Sequence, residues 1–338
     1  MNSDAQLRVL LVDAHGALGH ALVSALGRLG CAITWFGRYP APSGQALMTV
    51  VPGDRGRPED LRQLGSGTFD AAVDAGARDR DDPGYLAAAL RGRVGLVIHL
   101  SSWRVYAGAD DAGPAAGPAP SLPLSEDAPK TDGPRLDAED GLWQVRAPGV
   151  YPATVLRMGA LYGPGIGLAR EWHVLDRLRR GRRRMALPDG GGQILHRLYV
   201  DNAVHALITA LDHPREADGC AFNVGDSDVP TAARLCQDIA AVVGATMDGV
   251  PVPRSWYDPR NPWAAPYPVV LDRYRLRSRI GYQEPVPPAI GLERTVRWLW
   301  DLPDDEILGT LAPYWRRFGD GHDYFAEDRA LARWEGRA

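Results

Sequence analysis

The sequence predicts an α/β fold, a doubly wound parallel sheet followed by a smaller C-terminal lobe. Three observations carry this. Strand-like and helix-like segments alternate through the first hundred residues, a glycine-containing turn joins the first strand to an apolar helix, and strand patterning resumes after a long loop. Connections of this length between like-facing strands are right-handed βαβ crossovers.

The elements follow in order. Leu7 to Val12 is an apolar run that enters a turn and then a helix from Ala17 to Leu29. Ala32 to Phe36 is a second strand ending at Gly37-Arg38, and Met48 to Val51 a third, closed by Pro52-Gly53-Asp54. Pro58 to Leu64 reads as helix, Phe69 to Ala75 as strand, Tyr85 to Leu90 as helix and Val94 to Leu100 as strand, a Rossmann-type pattern. Residues 107–134, rich in Ala, Gly, Pro and Asp, read as a surface loop before the strand Thr154 to Arg157. Glu171 to Arg184 reads as one helix with a basic end, and Pro188 to Gln193 as a loop. Leu198-Tyr199-Val200 leads into a helix from Asn202 to Leu211, followed by the strand Ala221 to Val224. Thr231 to Val243 and Gly291 to Trp300 read as helices, and the stretch from Asp301 as an appended helical tail. The domain reading is therefore a nucleotide-binding core over 1–165 with returns near 196–225, a substrate lobe over 166–300, and an extension over 301–338.

Composition excludes several classes. With 338 residues, 45% hydrophobic and 24% charged, the chain falls in the globular range. A formal charge of -4 offers no basic footprint for nucleic acid, and no apolar run is long enough to span a bilayer. Cys31, Cys220 and Cys236 are widely spaced and form no metal pattern, so no metal is expected and a reducing cytoplasm is the expected location. Lys130 is the only lysine among 38 basic residues.

The turn Asp13-Ala14-His15-Gly16-Ala17-Leu18-Gly19 resembles the G-x-x-G-x-x-G turn of the extended short-chain dehydrogenases/reductases, which include NAD-dependent epimerases and dehydratases. Gly16 and Gly19 match its second and third glycines, and Asp13 stands where the first belongs. Such a turn holds a diphosphate on a helix N-terminus; a carboxylate there adds like charge, and the glycines could equally serve only helix–strand packing. The resemblance implies NAD or NADP. The end of the second strand carries no acid, and Arg38 in that place either favours NADP over NAD or is a solvated surface arginine, while Asp54 matches the adenine-contacting Asp.

His99-Leu100-Ser101-Ser102-Trp103-Arg104-Val105-Tyr106 resembles the family's serine segment, with Ser102 as its catalytic serine. The partner motif, Y-x-x-x-K, aligns with Thr131 and Arg135, so both members of the proton-transferring dyad are replaced. A Thr hydroxyl lacks the acidity of a phenol, and Arg is not a tunable point charge. Gly133-Pro134 should also weaken the helix that would present them.

Leu156 to Gly165, His196 to Ala203 (with Asn202 for an Asp) and Phe222-Asn223-Val224-Gly225 resemble later family segments, extending the likeness over residues 7 to 300. It places Tyr162, His196 and Arg197 at the substrate site, with Tyr162 and His196 joining Ser102 as candidate catalytic residues and Arg197, with Arg179, as candidate substrate-binding residues. Tyr106 reads as packing, His99 as a core histidine, and Asp13 with His15 as a surface turn or a proton-transfer pair. The run Arg179 to Arg184 is a solvated helix end or an attractor for an anionic substrate. Trp172, Trp256, Tyr257, Trp263 and Tyr267 could line an apolar pocket.

These features lead to an atypical member that performs non-redox acid/base chemistry (cyclisation, isomerisation or elimination) on a small, natural-product-like substrate. The alternatives are an NAD(P)-dependent reductase, epimerase or dehydratase with an unconventional proton donor, and a catalytically dead binding or scaffold subunit. The expected partner is a small molecule, with a homodimer implied by the resemblance alone.

Overall fold

The computed structural model describes residues 6–43, 47–106, 121–256, 262, 267–319 and 324–336. Its strands are β1 (Arg8–Val12), β2 (Ala32–Gly37), β3 (Met48–Pro52), β4 (Ala71–Asp74), β5 (Val97–Ser102), β6 (Ala153–Met158), β7 (Ala160–Tyr162), β8 (Arg184–Pro188), β9 (Arg197–Tyr199), β10 (Ala221–Val224) and β11 (Asp248–Val252). Seven of these form one parallel sheet in the order β10-β6-β5-β4-β1-β2-β3. The order reverses between β1 and β4, where an open parallel sheet places its ligand crevice at the carboxyl ends of the strands. The central strands β1, β4 and β6 are apolar runs buried along almost their whole length, as a sheet covered on both faces requires.

The helices of the core are α1 (Gly16–Arg28), α2 (Pro58–Leu61), α3 (Asp82–Leu90) and α4 (Pro134–Val145). They are followed by α5 (Trp172–Arg179), α6 (Val200–Asp212), α7 (Pro214–Ala217), α8 (Ala232–Val242), α9 (Tyr274–Ile280) and α10 (Pro288–Trp300), and then by α11 (Asp304–Thr310), α12 (Ala312–Phe318) and α13 (Tyr324–Trp334). One face of the sheet packs on α1 and α6 through Leu22, Leu26, Ala203 and Leu207. The other packs on α3 and α4 through Leu86, Leu90 and Leu142.

Three expectations change. The helix read over 171–184 ends at Arg179, and Arg184 starts β8, which pairs in parallel with β11. Pro134 strengthens α4 rather than weakening it: it occupies the first turn, where a missing N–H costs nothing. The tail is not appended. Leu302, Leu311 and Tyr314 join Trp172, Leu175 and Val296 in the core of the C-terminal lobe, and Ala330 and Leu331 pack on Val250 and Val252. No helix among the described residues is long and apolar enough to cross a membrane.

Candidate active site

The turn after β1 is built around Asp13. Its backbone has φ +51°, unusual for a residue other than glycine but tolerated by Asp. Asp13 N donates to Phe36 O at 2.9 Å, and the side chain lies between the ends of β2 and β4. A Cβ added at Gly37 would meet Asp13 Oδ1 at 2.7 Å, and one added at Gly76 would meet Asp13 Cβ at 2.4 Å. Asp13 Oδ1 is buried and has no hydrogen-bond partner among the described residues. Burial raises this carboxyl's pKa, against the pull of Arg55 and Arg38.

Gly16 opens α1 at φ +74°, and a side chain there would project into open space. Gly19 is required for packing, because its Cβ would lie 1.4 Å from Ala14 O. The two glycines thus have different tasks, one leaving the helix N-terminus open and the other seating the helix on the turn. A groove of about 630 Å³ runs from Gly16, Ala17 and His20 to Pro164, Gly165 and Tyr199. Asp54 accepts from Gly56 N at 2.9 Å, a bond that holds its carboxyl below the usual range, and it pairs with Arg38 at 3.5 Å. An open helix N-terminus, an orphaned acceptor at Asp13 and a fixed carboxylate at Asp54, all beside the reversal of strand order, fit a dinucleotide. His15 is occupied locally: its Nδ1 lies 2.8 Å from Asp13 O and its ring lies against Tyr39.

Below this crevice lies a buried charge cluster that the sequence did not reveal. Arg55 binds Asp74 through both terminal nitrogens and approaches Asp82, while His99 Nδ1 lies 3.5 Å from Asp74. The Arg55 guanidinium beside it holds the Asp74 carboxyl well below the usual range despite complete burial.

The serine segment ends β5. Ser102 is half-buried, and its Oγ accepts from Arg104 N at 3.3 Å, while its hydroxyl proton has no acceptor among the described residues. Thr131 N donates to Val105 O at 2.9 Å, and Lys130 bridges Tyr106 in antiparallel fashion, so Thr131 is brought next to the serine turn. Thr131 nevertheless lies before α4, which starts at Pro134, and Arg135 is exposed in its first turn. The helical spacing that would present a dyad is absent. Glu139, the last residue of the aligned motif, instead makes a buried pair with Arg157 at 2.6 Å. Arg157 also donates to Tyr106 Oη at 3.1 Å, while Tyr106 donates to Asn223 Oδ1 at 2.6 Å, so Tyr106 is a packing residue.

Tyr162, His196 and Arg197 come together around a residue missed in the sequence, Asp226. Tyr162 Oη donates to Asp226 Oδ2 at 2.6 Å, and Tyr199 N and Asn202 Nδ2 each donate to Oδ1 at 3.0 Å. Burial and the Asp226 carboxylate push the Tyr162 phenol far above its ordinary pKa. His196 is buried, and its tautomer is fixed by its partners: Nδ1 accepts from Leu271 N at 2.8 Å, so Nε2 carries the proton and donates to Asp226 O at 2.8 Å. Burial lowers its pKa, and the ring is neutral. Both nitrogens are therefore spent on backbone. Arg197 pairs with Glu171 and stacks 3.6 Å from the Tyr162 ring centroid. A carboxylate directly after Phe222-Asn223-Val224-Gly225, at the end of a core strand, was the signal available for Asp226.

A narrow cleft of about 20 Å³ is lined by Leu161, Tyr162, Glu171, Leu195, Arg197 and Leu235, and a neighbouring, roomier one of about 480 Å³ shares Tyr162 and Arg197 and adds Asp226, Arg234 and Arg297. Ser102 and His196 line neither. The basic run does not face these clefts as free charge. Arg179 pairs with Asp304, Arg180 with Asp176, Arg182 with Asp328 and Arg184 with Glu335. Trp172 is buried in the lobe core and Trp256 lies under Arg333, while Tyr257 and Trp263 fall outside the described residues. Among the described residues no cluster of three His, Cys, Asp or Glu is placed to hold a metal.

The sequence pattern of the NAD dependent epimerase/dehydratase family matches residues 9–225. The chain belongs to this family. Over 259 residues it is 30% identical to a 3-diazoavenalumate denitrifying reductase from a Streptomyces species, an alignment covering 71% of this chain and 82% of that protein. Its fold is shared by the Bordetella bronchiseptica enzyme WbmG in complex with NAD, with TM-score 0.68 and 17% identity over 88% of this chain and 95% of that one. The UDP-glucuronic acid 4-epimerase of Bacillus cereus, solved with UDP-glucuronic acid and NAD, matches with TM-score 0.64 and 16% identity over 86% and 98%. Like these family members, the chain is read as an enzyme.

Proposed function

We propose that the protein is a nicotinamide-dependent reductase whose acceptor needs no proton from the protein. One arrangement supports this reading: the turn after β1 has residues that fit a dinucleotide, while the residues aligned with the family's phenol and ammonium are Thr131, which sits outside α4, and an exposed Arg135. Reduction of a carbonyl leaves an alkoxide that must be protonated, so that dyad would be indispensable there. An aryl diazonium imposes no such demand. A reduced nicotinamide in this crevice would supply a hydride to the carbon bearing the diazo group, and the products are the arene and dinitrogen, balanced without an acid. The relative named as a 3-diazoavenalumate denitrifying reductase supports this acceptor class.

The roles of the residues follow from their surroundings. Gly16 and the first turn of α1 seat the diphosphate, and Asp54 fixes the adenosine end. Ser102, with its proton unspent, orients an oxygen of the acceptor by donating a hydrogen bond. Arg197, held between Glu171 and the Tyr162 ring, lines the roomier cleft together with Arg234 and Arg297, and these guanidinium groups would receive an acidic group of the substrate there. The candidates for non-redox acid/base work are otherwise engaged, Tyr162 with Asp226 and His196 with two backbone groups. This weighs against cyclisation, isomerisation or elimination as the reaction.

The test is consumption of reduced nicotinamide with release of dinitrogen, measured with aryl diazo acids, with matched aryl ketones, and with UDP-glucuronic acid. Turnover of the diazo acids alone is expected. Turnover of the ketones or the sugar nucleotide, with the diazo acids inert, would sink the proposal.

A further inference from the structure

Asp13 and Gly37 stand in exchanged positions. A doubly wound dinucleotide site puts glycine in the turn after the first strand, and an acidic side chain about 20 residues on to accept from the adenosine ribose hydroxyls. Here the acid is in the turn and the glycine ends the second strand. The two positions adjoin: β1 and β2 pair with Val12 opposite Phe36, and Asp13 N bonds Phe36 O. With 2.7 Å between Asp13 Oδ1 and the Cβ that Gly37 lacks, the carboxylate fills the root of any side chain at position 37.

Two further features ask for a ligand. The residue is only 7% exposed, yet Oδ1 has no hydrogen-bond partner among the described residues. Its backbone holds a left-handed conformation that glycine would adopt freely. A buried, unsatisfied acceptor calls for a donor from outside the fold. Gly37 and Gly76 both make room for the Asp13 side chain, since a Cβ at either would collide with it.

We propose that Asp13 is the ribose-recognition residue of this chain, its carboxylate taking the place of the missing acid at the end of β2, and that it selects NAD over NADP. The inference rests on the dinucleotide reading above. It reverses the preference that Arg38 alone suggested. A 2′-phosphate would meet the Asp13 carboxylate, and Arg38 is half-exposed and already paired with Asp54.

The experiment is calorimetric binding of NADH and NADPH to wild type, Asp13→Asn, Gly37→Asp and the double variant Asp13→Gly/Gly37→Asp. Asp13→Asn keeps the shape and the tolerated backbone, so it isolates the charge. Wild type should bind NADH about tenfold or more tighter than NADPH, and Asp13→Asn should lose about tenfold in NADH affinity and close that gap. Gly37→Asp alone should weaken both dinucleotides by crowding two carboxylates, and the double variant should restore the NADH preference. Binding with an NADPH preference in wild type, or with a ratio untouched by Asp13→Asn, overturns the proposal and leaves the cofactor reading standing. No binding by wild type or any variant overturns both.

Discussion

Replacing Glu327 by leucine should unfold the C-terminal lobe far more readily than a change in a loose tail could. Glu327 on α13 and Arg177 on α5 are each about 2% exposed and meet at 3.1 and 3.2 Å. Glu327 Oε1 also accepts from Ala186 N of β8 at 3.1 Å, and Arg182 approaches the other oxygen at 3.6 Å. Removing the carboxylate therefore leaves a guanidinium in the interior and an unpaired strand N–H. Breaking a buried pair by deleting one partner costs about 3–5 kcal/mol, and the orphaned N–H falls within that range. The double replacement Arg177→Leu/Glu327→Leu removes both charges and should recover a good part of the loss. Urea unfolding of wild type, both single variants and the double variant measures each term and their coupling. A loss under about 1 kcal/mol for Glu327→Leu, or strict additivity in the cycle, would refute the claim that α13 is an integral part of the lobe.

Three other outcomes follow from the site. His196 is held neutral with its pKa lowered, so the folded state binds fewer protons than the unfolded one; stability should fall as pH drops below the ordinary histidine value of 6.5, and His196→Gln should flatten that slope in pH-dependent unfolding. Asn202 donates to Asp226 and Glu284, so Asn202→Asp would gather three carboxylates; it should cost about 1–3 kcal/mol at neutral pH and less in acid, read by thermal melts across pH. Gly19→Ala would drive a methyl into Ala14 O, and it should abolish dinucleotide binding and lower the melting temperature, whereas Gly16→Ala, facing open space but at positive φ, should mainly strain the turn.

The sheet was legible because its strands are continuous apolar runs bounded by turns, as Leu7 to Val12 and Val94 to Leu100 illustrate. β8 was not, because Arg184-Met185-Ala186-Leu187-Pro188 follows a run of arginines that reads as the end of a helix, and its partner β11 contains Pro251. The arginine run itself misled for a related reason: what neutralises it is Asp304, Asp328 and Glu335, more than a hundred residues away. The alignment of Thr131 and Arg135 with the family's Tyr and Lys rests on the sequence alone. The position of Thr131 outside α4 was not legible there, because Pro134 sets where that helix begins. For Asp13 the residue type was a warning, but its direction depends on the two glycines that flank it from other strands. His196 looked reactive in the sequence. Only the backbone of Leu271 and Asp226, distant along the chain, shows that both nitrogens are used.

The central claim is hydride delivery without an acid dyad, and its most direct test is isotopic. Reduced nicotinamide deuterated at the transferring carbon would be incubated with an aryl diazo acid and the wild-type protein, Thr131→Val or Arg135→Met. Deuterium is expected on the ring carbon that carried the diazo group, with dinitrogen in equal amount and rates within about threefold for all three proteins, since neither side chain takes part in proton transfer. Solvent hydrogen at that carbon, or a collapse of the rate in Thr131→Val, would contradict it.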